Sequence, residues 1–309
     1  MMVLSLSEIA RALDGQVAGR QVLAPGPGHS RRDRSLSVKL AEHMPGGFLV
    51  VSHAGDDWRH CRDYVAERLG LPRFWDDRTA WNDPAAVERR RTAREIAERE
   101  QAAARAKNER RARQLLSESR DPRGSVVERY LQSRGLEIPE RMAGASILFH
   151  PACPWIGEDG ELTRVPAMLA PLVSLATGEV VGCHRTALTR DGKKLGRKVL
   201  GTATGAVVQL EPATTALAIG EGIETCLSAR QLGFVPVWAA YCVNEIARLP
   251  VLDGVRSLTL LGERDKKGAN ARAIERCGER WHAAGPSVTV AMPLAGFGDF
   301  NDQLCGRCA

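Results

Sequence analysis

No stretch of this 309-residue chain approaches the roughly 18 consecutive apolar residues that a membrane-crossing helix needs. The sequence therefore gives no reason to expect a membrane span. The opening Met1-Met2-Val3-Leu4-Ser5-Leu6-Ser7-Glu8 lacks the basic region and apolar core of a secretion signal. The eight cysteines are scattered, as expected of thiols in a reducing cytoplasm. Only Cys305 and Cys308 form a C-x-x-C, and no second pair stands ready to complete a metal site, so this pair reads as a tail. There is no G-x-x-x-x-G-K-[ST] loop, which argues against a fused P-loop ATPase.

What is present is an ordinary globular balance, 44% hydrophobic and 26% charged, at a length that supports roughly two or three domains. The net charge of +6 mildly favours a polyanionic partner. Along the chain the first region, 1–75, opens with a short helix pattern from Leu6 to Leu13, started by Ser5 or Ser7. A turn-rich Pro25-Gly26-Pro27-Gly28-His29 follows. Residues 35–40 alternate like a strand, 47–52 read as its hairpin partner, and 57–69 as an amphipathic helix. Between Glu88 and Arg113 lie ten Lys/Arg and five Glu, so residues 76–118 read as an exposed basic helical linker. The bland role is a solvated spacer; the functional one is contact with nucleic-acid phosphates.

In the main body, Val126 to Arg134 reads as a helix stopped by Gly135. Residues 167–174 and 179–186 read as antiparallel strands around Thr177-Gly178, followed by a basic loop over 190–198. After residue 213 strands at 215–220, 235–239, 257–262 and 287–292 alternate with helices near 223–232, 243–248 and 268–284. That alternation predicts a parallel sheet. In such a sheet ligands bind beyond the carboxyl ends of the strands. Acidic residues collect there: Glu221 after one strand, Glu263 and Asp265 after another, Asp299 and Asp302 after the last. Carboxylates drawn from several strand ends suit Mg²⁺ or Mn²⁺ with a phosphate-bearing substrate completing the shell.

The segments Gly220-Glu221-Gly222-Ile223-Glu224-Thr225, Gly262-Glu263-Arg264-Asp265-Lys266-Lys267-Gly268 and Gly298-Asp299-Phe300-Asn301-Asp302 together resemble a Toprim domain, the module of bacterial primases, topoisomerases and some nucleases. The resemblance implies an α/β fold with a Rossmann-like parallel sheet over 213–305. It implies Glu221 as general acid/base, and Glu263, Asp265, Asp299 and Asp302 as the Mg²⁺ site. The family's acid-x-acid pair usually starts with Asp; here it starts with Glu263, still a competent ligand. Upstream, 171–186 and the basic segment after it resemble the small basic α+β subdomain that precedes Toprim in primases, here 119–212. That implies template and nucleotide contacts from Arg185, Lys193, Lys194, Arg197 and Lys198, with Arg264 a further phosphate candidate. Asp33-Arg34-Ser35-Leu36-Ser37-Val38 is similar to part of a primase zinc ribbon, an α+β module. The usual ligand positions fall near Ala24, Gly26, His29, Ser52 and Asp56, of which only His29 is a natural zinc ligand, so a zinc-free ribbon is expected.

These features imply a primase-like, Mg²⁺- or Mn²⁺-dependent nucleotidyltransferase of the cytoplasm, acting on single-stranded DNA and nucleoside triphosphates. The resemblance points to replication of a plasmid, phage or integrative element, with room for a separate replicative helicase. The alternatives are a Toprim nuclease and a non-catalytic nucleic-acid-binding subunit.

Overall fold

The computed structural model describes residues 4–41, 44–71, 84–157, 160–265 and 268–306. It divides into two compact units, Met1–Ala102 and Ala103–Ala309, with the division inside one long helix. Cys308, half of the terminal C-x-x-C, and Lys266 and Lys267 of the acidic segment lie outside the described residues, as does the stretch 72–83.

The first unit begins with helix α1 (Leu6–Ala12). Ser5 accepts from the Glu8 N–H, and the Glu8 side chain reaches back to the Ser5 N–H, a capping box that fixes the start. Strands β1 (Gln16–Ala18), β2 (Gln21–Ala24), β3 (Leu36–Leu40) and β4 (Phe48–Ser52) form an antiparallel sheet in that order. The β3–β4 pairing was expected; the β1–β2 hairpin was not, because each strand is only three or four residues long. Helix α2 (Trp58–Arg68), capped by Asp57, completes the unit. Ile9, Leu13, Val22, Leu36, Val38, Phe48, Val50, Cys61 and Val65 make its core.

The positions expected of a zinc ribbon are joined by a polar clasp. His29 Nδ1 lies 2.7 Å from Asp33 Oδ2 and Nε2 lies 3.2 Å from Asp56 Oδ1. The Ser35 hydroxyl donates to Asp33 at 2.5 Å and the Ser52 hydroxyl to Asp56 at 2.8 Å. The hydrogen bonds link the loop before β3 to the turn after β4 by side chains alone. The Asp33 contact raises the His29 pKa above its ordinary 6.5, so its contribution is full below that value and is lost as pH rises through the raised pKa. Hydrogen bonds from Ser35 and His29 hold Asp33 below its ordinary 3.8, so its contribution is present above that value and is lost in acid. The clasp should stabilise the unit most between those ordinary values, 3.8 and 6.5. We expect a zinc chelator to leave the circular dichroism of an N-terminal unit unchanged, and His29→Ala to lower its urea midpoint most at pH 5. A chelator-induced unfolding would contradict this.

Helix α3 (Pro84–Ser117) has 34 residues and is about 50 Å long. Most of its described positions from 95 to 111 are exposed; Ala112 and Leu115 are buried near its end. Its last turns belong to the second unit, where Leu115 packs on Leu148, Cys153, Ala167 and Leu169.

In the second unit, helix α4 (Val126–Gln132) is capped by Ser125. Strands β5 (Leu148–Ile156), β6 (Leu162–Ser174), β7 (Val180–Leu188), β8 (Lys194–Gly201) and β9 (Ala206–Gln209) follow. Then come β10 (Ala216–Gly220), α5 (Ile223–Gln231), β11 (Val237–Ala239), α6 (Val243–Arg248), β12 (Ser257–Leu261), α7 (Ala269–Ala283), β13 (Ser287–Ala291) and α8 (Phe300–Cys305). All these strands share one sheet in the order β13-β12-β10-β11-β9-β6-β7-β8, with β5 on β6. Strands β10 to β13 pair in parallel, as the alternation predicted. Strand β9 is antiparallel to both β11 and β6, so the sheet is mixed and runs unbroken into the basic hairpins.

One expectation is corrected. The stretch 190–198 is not a basic loop throughout: Lys194 onward forms β8, paired antiparallel with β7. Strand β8 is the sheet edge, where charged side chains are the ordinary protection against stray pairing, and its charges hid it in the sequence.

Candidate nucleotide and metal site

Strands β10 and β12 are neighbours in register, so the turns at their carboxyl ends lie side by side. The approach is close at Gly220. A Cβ there would stand 3.0 Å from Cys226 Sγ and 3.2 Å from Leu261 Cβ. Glycine thus lets the Glu221 turn settle against the end of β12. Glu263 lies just beyond β12, and Asp299 starts α8 as its N-cap, accepting from the Asp302 N–H at 2.8 Å.

Three carboxylates feel one another here. Burial, with the charges of Glu221 and Asp299, pushes the Glu263 pKa up to about 7, against the Thr225 hydroxyl and Arg197, which pull it down. The Thr225 hydroxyl donates to Glu263 Oε1 at 3.1 Å, and Asn270 accepts the Glu263 N–H at 3.0 Å. Crowded carboxylates of this kind favour a cation among them. Among the described residues no three His, Cys, Asp or Glu side chains converge into a ready-made metal centre. Carboxylate oxygens are the donors that Mg²⁺ takes, one or two at a time beside waters and substrate phosphates. The donor set therefore fits a hard divalent ion.

The other two acidic candidates sit differently. Asp265 is exposed, and its two oxygens accept from the N–H groups of Ala269 at 2.7 Å and Asn270 at 3.3 Å, capping the first turn of α7. Asp302 lies in the first turn of α8. An acidic residue ahead of a helix serves the helix whatever else it does.

The basic candidates are divided between the two faces of the sheet, because neighbouring strand residues point to opposite sides. On the carboxylate face, Arg197 Nη2 lies 3.3 Å from Glu221 Oε1 and Lys194 Nζ lies 2.8 Å from Glu224 Oε1. A register shift between Ala187 and Leu188 places Lys194 and Arg197, three apart, on the same side. On the opposite face, Arg185 donates to the Pro154 carbonyl at 2.9 Å, and Lys198 donates to the Ile156 carbonyl. Both lie over the Trp155 ring, at 5.9 Å and 4.8 Å. These side chains, with Arg111, Arg164 and Glu118, line a cleft of about 410 Å³ under the end of α3. Lys193 is exposed and pairs with Asp191 at 3.2 Å. Arg264 donates to the Pro293 carbonyl at 3.0 Å, bracing the turn after β13.

Sequence reasoning missed Glu224. It lies in the first turn of α5 and is buried, accepting from Lys194 and, at 2.5 Å, from the Tyr130 hydroxyl. Burial pushes its pKa up, but the Lys194 charge and these hydrogen bonds outweigh that and hold it down at about 2. Beside it His184 is kept neutral, burial pushing its pKa down to about 4. The only sequence signal was a second acidic residue in the first turn of the helix, three residues after Glu221.

Residues 216–309 match the family model of the Toprim domain, and residues 106–210 match that of a domain of unknown function, DUF7146. A comparison with curated proteins gave no match. Among solved structures, the chain is similar to the Aquifex aeolicus primase (zinc binding and RNA polymerase domains) at 13% identity, over 99% of this chain and 83% of that one, with a TM-score of 0.43. It is similar to a DnaG primase catalytic domain bound to ssDNA at 14%, over 69% and 79%, with a TM-score of 0.45. A Pseudomonas aeruginosa primase domain gives 16%, over 61% and 70%, and 0.41. Likenesses this remote carry neither a site nor an activity across. The family match and the acidic strand ends coincide: Glu221, Glu263, Asp265, Asp299 and Asp302 all lie in residues 216–309, the stretch that matches the Toprim domain.

Proposed function

We propose that the protein is a primase-like nucleotidyltransferase that extends nucleotide chains on a single-stranded DNA template. The observation that carries this reading is the ion pair of Glu221 with Arg197 of the basic strand β8, beside Glu263 and Asp299. Glu263 and Asp299 would hold Mg²⁺ or Mn²⁺, with Asp265 and Asp302 on the adjoining turns as further candidates. When bound, the ion would neutralise triphosphate charge and favour in-line displacement. Glu221, partly shielded, is the group to accept the proton of an attacking 3′-hydroxyl. Arg197 stands beside it to meet phosphate oxygens, with Lys193 and Arg264 further out. Lys194 is tied to Glu224 and sets the strand rather than the substrate.

The cleft on the far face suits the template. Arg185, Lys198, Arg111 and Arg164 offer phosphate contacts without competing for the carboxylates. We expect Arg185→Ala to weaken binding of a fluorescent single-stranded oligonucleotide about tenfold, and to flatten its salt dependence. Unchanged affinity and slope would remove the cleft from the template path. Location in the cytoplasm, service to a plasmid, phage or integrative element, and a separate replicative helicase as partner complete the proposal.

The exposed helix-capping position of Asp265 and the glutamate at 263 keep one other reading open, a nucleic-acid-binding subunit without catalysis. The protein incubated with single-stranded DNA, labelled nucleotides and Mg²⁺ or Mn²⁺ separates the readings. New labelled oligomers are expected. Shortening of end-labelled DNA would mark a nuclease, and intact DNA with no product a binding subunit.

A further inference from the structure

The carboxylate site already holds a positive charge of its own. Arg197 Nη2 is 3.3 Å from Glu221 Oε1, with the Glu221 side chain 17% exposed and that of Arg197 47% exposed. The carboxylate is thus seated and the guanidinium is at the solvent side. The backbone beneath Arg197 is fixed twice over. Arg197 and Lys198 are in register with Thr186 and Arg185 of β7, and three residues earlier Lys194 is anchored to buried Glu224 and, through it, to Tyr130. Only the Arg197 side chain is left to move. Strand alternation keeps its charged neighbour Lys198 on the other face, so Lys198 cannot take its place.

Resting on the reading of these carboxylates as a divalent-cation site, we propose that Arg197 is the resident counterion of Glu221 and transfers to the nucleotide triphosphate when the cation arrives. A divalent ion on Glu263 and Asp299 and the guanidinium of Arg197 on Glu221 are like charges in one group of carboxylates, so each weakens the other's hold. A triphosphate offers the guanidinium a bidentate partner and the ion further oxygen ligands. Cation and nucleotide therefore bind together better than either binds alone. The exchange selects against cation without nucleotide, and against nucleotide without cation.

The test is Mn²⁺ titration followed by the electron paramagnetic resonance of free Mn²⁺, with and without a non-hydrolysable nucleoside triphosphate. Arg197→Gln should bind Mn²⁺ alone about threefold more tightly than wild type, the loss of one partly exposed like charge. With the nucleotide present the same variant should bind it about tenfold more weakly. A residue serving only the fold would not produce opposite signs. Arg280→Gln removes the same charge from α7, where the guanidinium holds the Ala247 and Leu249 carbonyls. It should leave Mn²⁺ affinity unchanged, and equal tightening in both variants would overturn the proposal in favour of a net-charge effect. Wild type that binds Mn²⁺ while Arg197→Gln binds it equally or less well overturns the proposal alone. If neither protein takes up Mn²⁺, the cation-site reading falls and this inference with it.

Discussion

Glu221→Gln should abolish nucleotide incorporation, by about a thousandfold, while leaving the thermal transition and single-stranded DNA binding of the protein in place. General-base catalysis by a positioned side chain contributes roughly 10²- to 10⁴-fold, and glutamine keeps the shape of the carboxylate without its basicity. Glu221 is suited to this role by its place at the end of β10, beside Glu263 and under Arg197. The fold does not depend on its charge, since its partner Arg197 is half exposed and the turn is set by Gly220 and Gly222. Incorporation rates and melting curves measured on the same preparations check this. A Glu221→Gln protein with near wild-type rates would move the chemistry elsewhere.

Lys194→Met should cost about 3 kcal/mol of stability. It leaves the Glu224 carboxylate buried without its cation, and breaking a buried pair from one side costs about 3–5 kcal/mol. The lower figure is apt because the Lys194 side chain is 33% exposed and that of Glu224 only 10%. The double variant Lys194→Met with Glu224→Gln should recover much of the loss, since the unpaired charge is gone. The pH dependence has a definite sign. The Glu224 pKa is depressed in the fold, so its stabilisation is present above the ordinary 4.5 and disappears as pH falls toward about 2. In the single variant that acid-labile component should be missing from urea midpoints measured between pH 6 and 3. Equal stability of wild type and Lys194→Met would show the pair to be solvated.

Much of this was legible in the sequence wherever local chemistry dictates local structure. Helices were expected to start from Ser5 or Ser7, at Asp57 and at Val126, and the caps are Ser5, Asp57 and Ser125. The run at β10 reads as a strand because it is apolar up to its glycine, and that at β12 because Leu258, Leu260 and Leu261 around Thr259 stop at Gly262. The acidic residues after them were found on the same logic. Long-range pairing hid the rest. Strand β8 looks like a loop because an edge strand has no need of an apolar pattern on both faces. Strand β5 carries Pro151 and Pro154, with its register shift between His150 and Cys153, features that locally argue against a strand. The basic residues from 185 to 198 looked like one patch. The pleat puts Arg185 and Lys198 on one face and Lys194 and Arg197 on the other, a separation visible only once β8 is known to be a strand. Glu224 was read as a letter of a motif, because its partners Lys194 and Tyr130 lie 30 and 94 residues away in sequence.

The central claim is that carboxylates from separate strand ends act as one divalent-cation site. Isothermal titration of Mn²⁺ into wild type, Glu263→Gln and Asp299→Asn tests it most directly. The site described here predicts a single saturable site in wild type, with affinity about tenfold or more weaker in each variant and unaltered melting curves. No saturable uptake by wild type, or variants that bind as tightly as wild type, would contradict it.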